Sequence, residues 1–135
     1  MKKVDIEAEK AAAIKVMEKI VEAESRRDVD TAIKYYTEDA IFQAPDMPQI
    51  KGIKAVREVY TEFFKMPFKS FESGSTETVV AESGDMAYDI GWNILVFDGP
   101  DGDMEVRSKY LAILRKIDGE WKTAVLAFSN DQPAK

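Results

Sequence analysis

The chemistry open to this chain is bounded first by two missing residue types. It has no histidine and no cysteine, so the commonest general base, the commonest zinc ligand and the thiolate nucleophile are all lacking. A disulfide framework is excluded for the same reason. Carboxylates, phenols, indoles and amides remain. Asp46 is one candidate base, since it lies in Pro45-Asp46-Met47-Pro48. Two prolines in four residues make that segment a loop, from which a carboxylate could swing toward a bound molecule. Asp98, Asp101, Asp103 and Glu105 crowd one turn as calcium ligands would. They lack the alternate spacing and central glycine of an EF-hand, so an acidic hairpin turn is expected. There is no Gly-rich phosphate loop, no Gly-x-Ser-x-Gly and no carboxylate–histidine set, so neither a cofactor nor a metal is expected. A net charge of −6, with basic doublets only at Lys2-Lys3, Arg26-Arg27 and Arg115-Lys116, argues against nucleic acid as a partner.

The elements that must hold these groups follow from periodicity. At 135 residues, 45% of them hydrophobic and 33% charged, the chain fits one globular domain over residues 1–135. No apolar run approaches the ~20 residues of a membrane span, and MKKVDIEAEK has no apolar signal region, so a cytoplasmic location is expected. Ile6, Ala13, Ile14, Met17, Ile20 and Val21 form the stripe of a long first helix, with Lys15, Glu18, Lys19 and Glu22 opposite. Asp28 sits where an N-cap belongs, and Val29, Ala32, Ile33 and Tyr36 give a second helix reaching Tyr36. Glu38-Asp39 breaks that pattern, and a short strand runs on to Ala44. Ile53, Val56, Tyr60, Phe63 and Phe64 mark a third helix between Gly52 and Pro67. Beyond Pro67 the period becomes alternating. Turn signals at Ser83-Gly84-Asp85, Asp98 to Gly102 and Asp118-Gly119 divide the rest into strands near 68–82, 86–97, 104–117 and 120–130. Three helices followed by an antiparallel meander predict an α+β fold with helices on one face of the sheet.

Three segments carry a family resemblance. RDVDTAIKYYTEDAIFQAP resembles the helix–acid pair–strand–proline unit at the start of ketosteroid isomerase-like and SnoaL-like proteins, in the nuclear transport factor two-like superfamily. GIKAVREVYTEFFKMPF is similar to their Gly–helix–x-x-Pro segment, and RSKYLAILRKIDGEWK to the penultimate hairpin of SnoaL-like proteins. The resemblance implies a curled sheet closing over the helices as a cone around a cavity. It also implies that isomerase machinery is gone. That chemistry needs a carboxylate base and an oxyanion hole made of a tyrosine and a protonated acid. The base position, just before the proline, is Ala44; the oxyanion tyrosine falls at Ile20; the acid falls at Ala112 or Ile113.

Alternation and the resemblance together give the cavity its lining. Tyr88, Ile90, Trp92, Ile94 and Val96 are expected inward on one strand, and Val106, Ser108, Tyr110, Ala112 and Leu114 on the next. In the last strand a two-residue loop at Asp118-Gly119 turns Thr123, Val125 and Ala127 inward. A three-residue loop with Gly119 bulged turns Ala124, Leu126, Phe128 and Asn130 inward instead. The second is preferred, because the resemblance puts a cavity-lining position at Leu126. The expected binding residues are thus Tyr36, Gln43, Tyr60, Tyr88, Trp92, Tyr110, Leu126, Phe128 and Asn130, with Trp92 as the floor. Such a pocket suits a small apolar or aromatic molecule. An isomerase, dehydratase or cyclase acting on a steroid-like or polyketide-like substrate, and a protein association module, are the alternatives. On the outer face Leu95, Phe97, Leu111, Ile113, Trp121 and Val125 make an apolar patch too large for a monomer, so a homodimer through that face is expected.

Overall fold

Asp5 starts the first helix by accepting the Ala8 N–H at 3.1 Å, which satisfies a donor that the helix itself cannot. This helix, α1, spans Ile6–Ser25 and buries Ala13, Met17, Ile20 and Ala23 along one stripe. The computed structural model describes residues 3–132, so Lys2 of the first basic doublet lies outside the described residues. Asp28 caps α2 (Val29–Ile33) through the Thr31 N–H. That helix is shorter than its pattern suggests. The Tyr35 carbonyl accepts the Thr123 N–H at 2.7 Å, so sheet pairing claims the chain, and Tyr36 opens strand β1 (Tyr36–Gln43). After the two-residue β2 (Ile50–Lys51), Gly52 turns with φ at 95° into α3 (Ile53–Phe64), a backbone region that glycine enters without penalty. The remaining strands are β3 (Phe68–Val80), β4 (Met86–Gly99), β5 (Gly102–Ile117) and β6 (Glu120–Asn130).

The six strands form one sheet in the order β2-β1-β6-β5-β4-β3, antiparallel except where β1 runs parallel to β6. Arg27 ties the helices to the sheet. Its guanidinium donates to the carbonyls of Phe64, Met66 and Phe68 and lies 3.8 Å from the centre of the Phe68 ring. Carbonyls left open at the end of α3 thereby gain donors.

The register of β4 is the reverse of expectation. Asp89, Gly91, Asn93 and Leu95 face the helices, while Tyr88, Ile90 and Trp92 are exposed on the outer face, Trp92 to 39%. Trp92 is therefore no floor. Its indole lies across Gly74, where a Cβ would come within 2.7 Å of the ring. Two inward features fix this register. Asp89 is wholly buried, and its carboxylate accepts hydrogen bonds from Thr78 (2.7 Å), Tyr110 (2.6 Å) and Ser75 (3.1 Å). A buried carboxylate is tolerated when satisfied in this way. Gly91 makes room for the Tyr110 ring, which a Cβ there would meet at 2.5 Å.

The last strand combines both expected registers. Asp118 and Gly119 have φ of 51° and 82°, giving a two-residue turn of the hairpin type, so Trp121 and Thr123 point inward and are buried. Leu114 then pairs with Thr123 but Ile113 with Val125. Ala124 is the extra residue of a bulge, and beyond it Leu126 and Phe128 face inward. The bulge lies at Ala124, five residues past Gly119 and not in the turn. Of the expected outer patch, Leu111, Ile113 and Val125 remain outside. Leu95 lines the interior, Phe97 shares its face by alternation, and Trp121 is buried against the core.

Candidate ligand cavity

Between the helices and the inner sheet face lies a cavity of about 650 Å³, within the range of small-molecule sites. Helix α1 contributes Met17, Ile20 and Glu24; α3 contributes Val59, Tyr60 and Phe63; the sheet contributes Tyr36, Leu95, Tyr110, Leu126 and Phe128. Met47 and Met66, 37% and 43% exposed, mark its opening together with the exposed Glu58 and Glu62.

Tyr36, Tyr60, Tyr110, Leu126 and Phe128, all expected in the site, meet here. The others do not. Gln43 is exposed, its side-chain oxygen taken by Gln49. Tyr88 and Trp92 are on the outer face, and Asn130 is exposed at the end of β6. Asp46 occupies an exposed turn with φ at 62° and is absent from the lining, although the neighbouring Ala44 belongs to it. Of the acidic hairpin, Asp98 and Asp103 are paired with Lys69, at 3.3 and 2.6 Å.

The residue that sequence reasoning missed is Glu24. Its signal was present: Ala13, Met17, Ile20 and Glu24 follow one another at spacings of four, three and four, so a carboxylate continues an apolar stripe. The residue retains some accessible surface, and it is among the cavity-lining residues. Burial raises the Glu24 carboxyl from 4.5 to about 7, against a hydrogen bond from Tyr60 that lowers it. The Tyr60 hydroxyl donates to Glu24 Oε2 at 3.0 Å and lies 2.7 Å from the Tyr36 hydroxyl. Both phenols are pushed up, by burial first and by the Glu24 charge second. With Glu24 ionised, the chain of donors runs from Tyr36 through Tyr60 to the carboxylate. With Glu24 protonated it can run the other way. A carboxyl poised near neutrality is suited to exchanging a proton with a bound molecule.

Two further polar features face inward. Ser73, Asn93 and Ser108 stand in register across β3, β4 and β5, with Asn93 donating to Ser108 at 3.2 Å. Tyr110 presents its ring to the cavity, while its hydroxyl donates to Asp89; burial and that bond push the phenol up. Among the described residues, no group of acidic side chains is placed to hold a metal ion, and no helix is long and apolar enough to cross a membrane.

Comparison with known structures agrees with this architecture. A ketosteroid isomerase-like protein from Erwinia carotovora atroseptica superposes with a TM-score of 0.82 at 24% identity, covering 93% of this chain and 98% of that one. An NTF2-like protein with a cystatin-like fold from Novosphingobium aromaticivorans gives 0.80 at 10% identity, over 94% and 84%. An NTF-2 like protein of unknown function from Shewanella oneidensis gives 0.74 at 15%, over 89% and 98%. At these identities the likeness is one of fold. No curated protein matches the chain by sequence. The model of the SnoaL-like domain family matches residues 17–124, the stretch running from mid-α1 to the bulge in β6. The chain therefore belongs to the SnoaL-like domain family.

Proposed function

We propose that residues 1–135 act as a single small-molecule-binding domain, its sheet wrapped as a cone around a cavity for an apolar or aromatic ligand. The observation that carries this reading is the cavity itself: about 650 Å³, walled by aliphatic and aromatic side chains, with one carboxylate–phenol chain for orientation. The position of Glu24, near neutrality, favours a second reading. In it the domain is an isomerase, dehydratase or cyclase whose proton transfer is performed by Glu24, with Tyr60 and Tyr36 holding the oxygen of a steroid-like or polyketide-like substrate. A cytoplasmic location is proposed on the absence of cysteine.

Thermal unfolding against neutral steroid-like and polyketide-like compounds tests the binding reading. A ligand at 100 times its dissociation constant stabilises by about 2.7 kcal/mol. Leu126→Trp, which fills the space, should abolish that shift. No stabilisation by any apolar compound would overturn the reading.

We also propose that two copies pair through the outer sheet face. Leu111, Ile113 and Val125 stay in this patch, and Tyr88, Ile90 and Trp92 replace Leu95, Phe97 and Trp121. Tyr88, Ile90, Trp92 and Leu111 are 36%, 38%, 39% and 44% exposed, and an apolar patch of this kind, bounded by Lys109 opposite Trp92, is unusual on a monomer. A two-fold pairing would bury on the order of 1,200–2,000 Å².

A further inference from the structure

The carboxylates among the cavity's lining residues are not matched by any lining cation. Glu24 is at its wall and Glu58 and Glu62 are near its opening, while no lysine or arginine is among the lining residues described. From the cavity's shape, aromatic walls and charge we propose that its ligand is an apolar amine bound as the ammonium ion, its nitrogen paired with Glu24. This rests on the binding reading above and names the ligand class.

Each kind of ligand would leave the Glu24 carboxylate in a different state. A carboxylate or phosphate ligand would be buried against Glu24 with no cation to offset either charge, an arrangement strongly penalised away from water. A neutral apolar ligand would displace water and leave ionised Glu24 with the Tyr60 hydroxyl as its side-chain partner. An ammonium group supplies both the opposite charge and further donors. It also suits the walls, because Tyr36, Phe42, Tyr60, Phe63, Tyr110 and Phe128 line the space. Aromatic rings attract cations, more strongly once water is excluded. At the opening Glu62 is paired with Lys65 at 3.0 Å, which leaves Glu58 and the net charge of −6 to favour the approach of a cation.

The groups that bear on Glu24 are known from every wall. Tyr60 comes from α3, Tyr36 from β1 and Tyr110 from β5, with Glu58 and Glu62 toward the opening. The three phenols stay neutral through the range in which Glu24 titrates, since each is pushed above its ordinary value. Amine affinity should therefore follow Glu24. It should be full above neutrality and fall as acid protonates the carboxylate, roughly tenfold for each pH unit below the midpoint. Binding at pH 7 should release part of a proton from Glu24.

Three probes with the same ring body make the test: 1-naphthylmethylamine, 1-naphthylmethanol and 1-naphthoate, titrated calorimetrically into the full chain. At pH 7.5 the amine should bind at least about tenfold more tightly than the alcohol, and the carboxylate most weakly. Repeating the amine titration at pH 7 in buffers of different ionisation enthalpy should reveal the released proton. Glu24→Gln should reduce the amine to the level of the alcohol. An alcohol that binds as tightly as the amine overturns the amine inference and leaves the cavity reading standing. So does an amine preference that survives Glu24→Gln, or an amine affinity that does not fall between pH 7.5 and 5.5. Failure of all three probes to bind overturns both.

Discussion

Replacing Glu24 by glutamine should favour stability increasingly as pH rises from about 4.5 to about 7, the gain then levelling off in mild alkali. Burial lifts this carboxyl from 4.5 to about 7, so the folded state holds its proton more tightly than the unfolded chain does. For an acid shifted in this direction, the favourable contribution is full below about pH 4.5. It is lost as pH rises through about 7. At about 1.4 kcal/mol per tenfold change in proton affinity, the loss amounts to about 3 kcal/mol. Glutamine carries no charge at any of these pH values, and its amide oxygen can still accept from Tyr60. Every other carboxylate is common to both proteins, so its titration cancels in the comparison. Urea unfolding of wild type and Glu24→Gln at intervals from pH 4.5 to 8 gives the difference directly. It should move in favour of the variant by about 3 kcal/mol across the range. A difference that stays level, or that moves in favour of the wild type as pH rises, refutes the placement of Glu24.

The other predictions concern its neighbours, the sheet and assembly. Tyr60→Phe removes the hydrogen bond that lowers the Glu24 carboxyl, so its titration midpoint, followed by carbon-13 NMR, should rise above 7; a fall would show that Tyr60 is not its donor. Gly91→Ala places a Cβ against the Tyr110 ring and the Gly74 carbonyl and should cost about 1–3 kcal/mol in urea unfolding; an unaltered midpoint contradicts the inward register of β4. Asp89→Ala strips Tyr110, Thr78 and Ser75 of their shared acceptor and should cost about 2–4 kcal/mol by the same assay, where a cost under half a kcal/mol speaks against the network. Light scattering across a dilution series should give a dimeric mass at tens of micromolar, and Leu111→Glu a monomeric one; a monomeric wild type ends the proposal of pairing.

Most of the framework could be read in the sequence because each element carries its own punctuation. Asp28, Gly52, Pro67 and the hairpin turns bound helices and strands close to where these were expected. The faces of β5 could be read as well: Tyr110, Ala112 and Leu114 alternate with Lys109, Leu111 and Ile113, and the first set is buried. In β4 the same logic failed. Alternation defines two faces without saying which is inward, and the family resemblance chose Tyr88, Ile90 and Trp92. The interior instead takes Asp89, which three hydroxyls satisfy, and Gly91, which admits the Tyr110 ring. Both compensations lie on other strands and leave no mark in the local pattern. In β6 a bulge at Ala124 shifts the phase within the strand, so neither uninterrupted register could be right throughout. Glu24 was hidden by a habit of reading: a charged residue near a helix end is usually solvated, yet this one continues the stripe set by Met17 and Ile20.

The proposed function turns on a single group at a single place, Glu24 at the wall of the apolar cavity. The most direct test is a carbon-13 titration of the Glu24 side-chain carboxyl in the free protein and again with 1-naphthylmethanol saturating the cavity. The free carboxyl should titrate near 7, and filling the cavity should displace its resonance and raise its midpoint as water is expelled. A midpoint at the ordinary carboxylate value, unmoved by the ligand, would contradict the account.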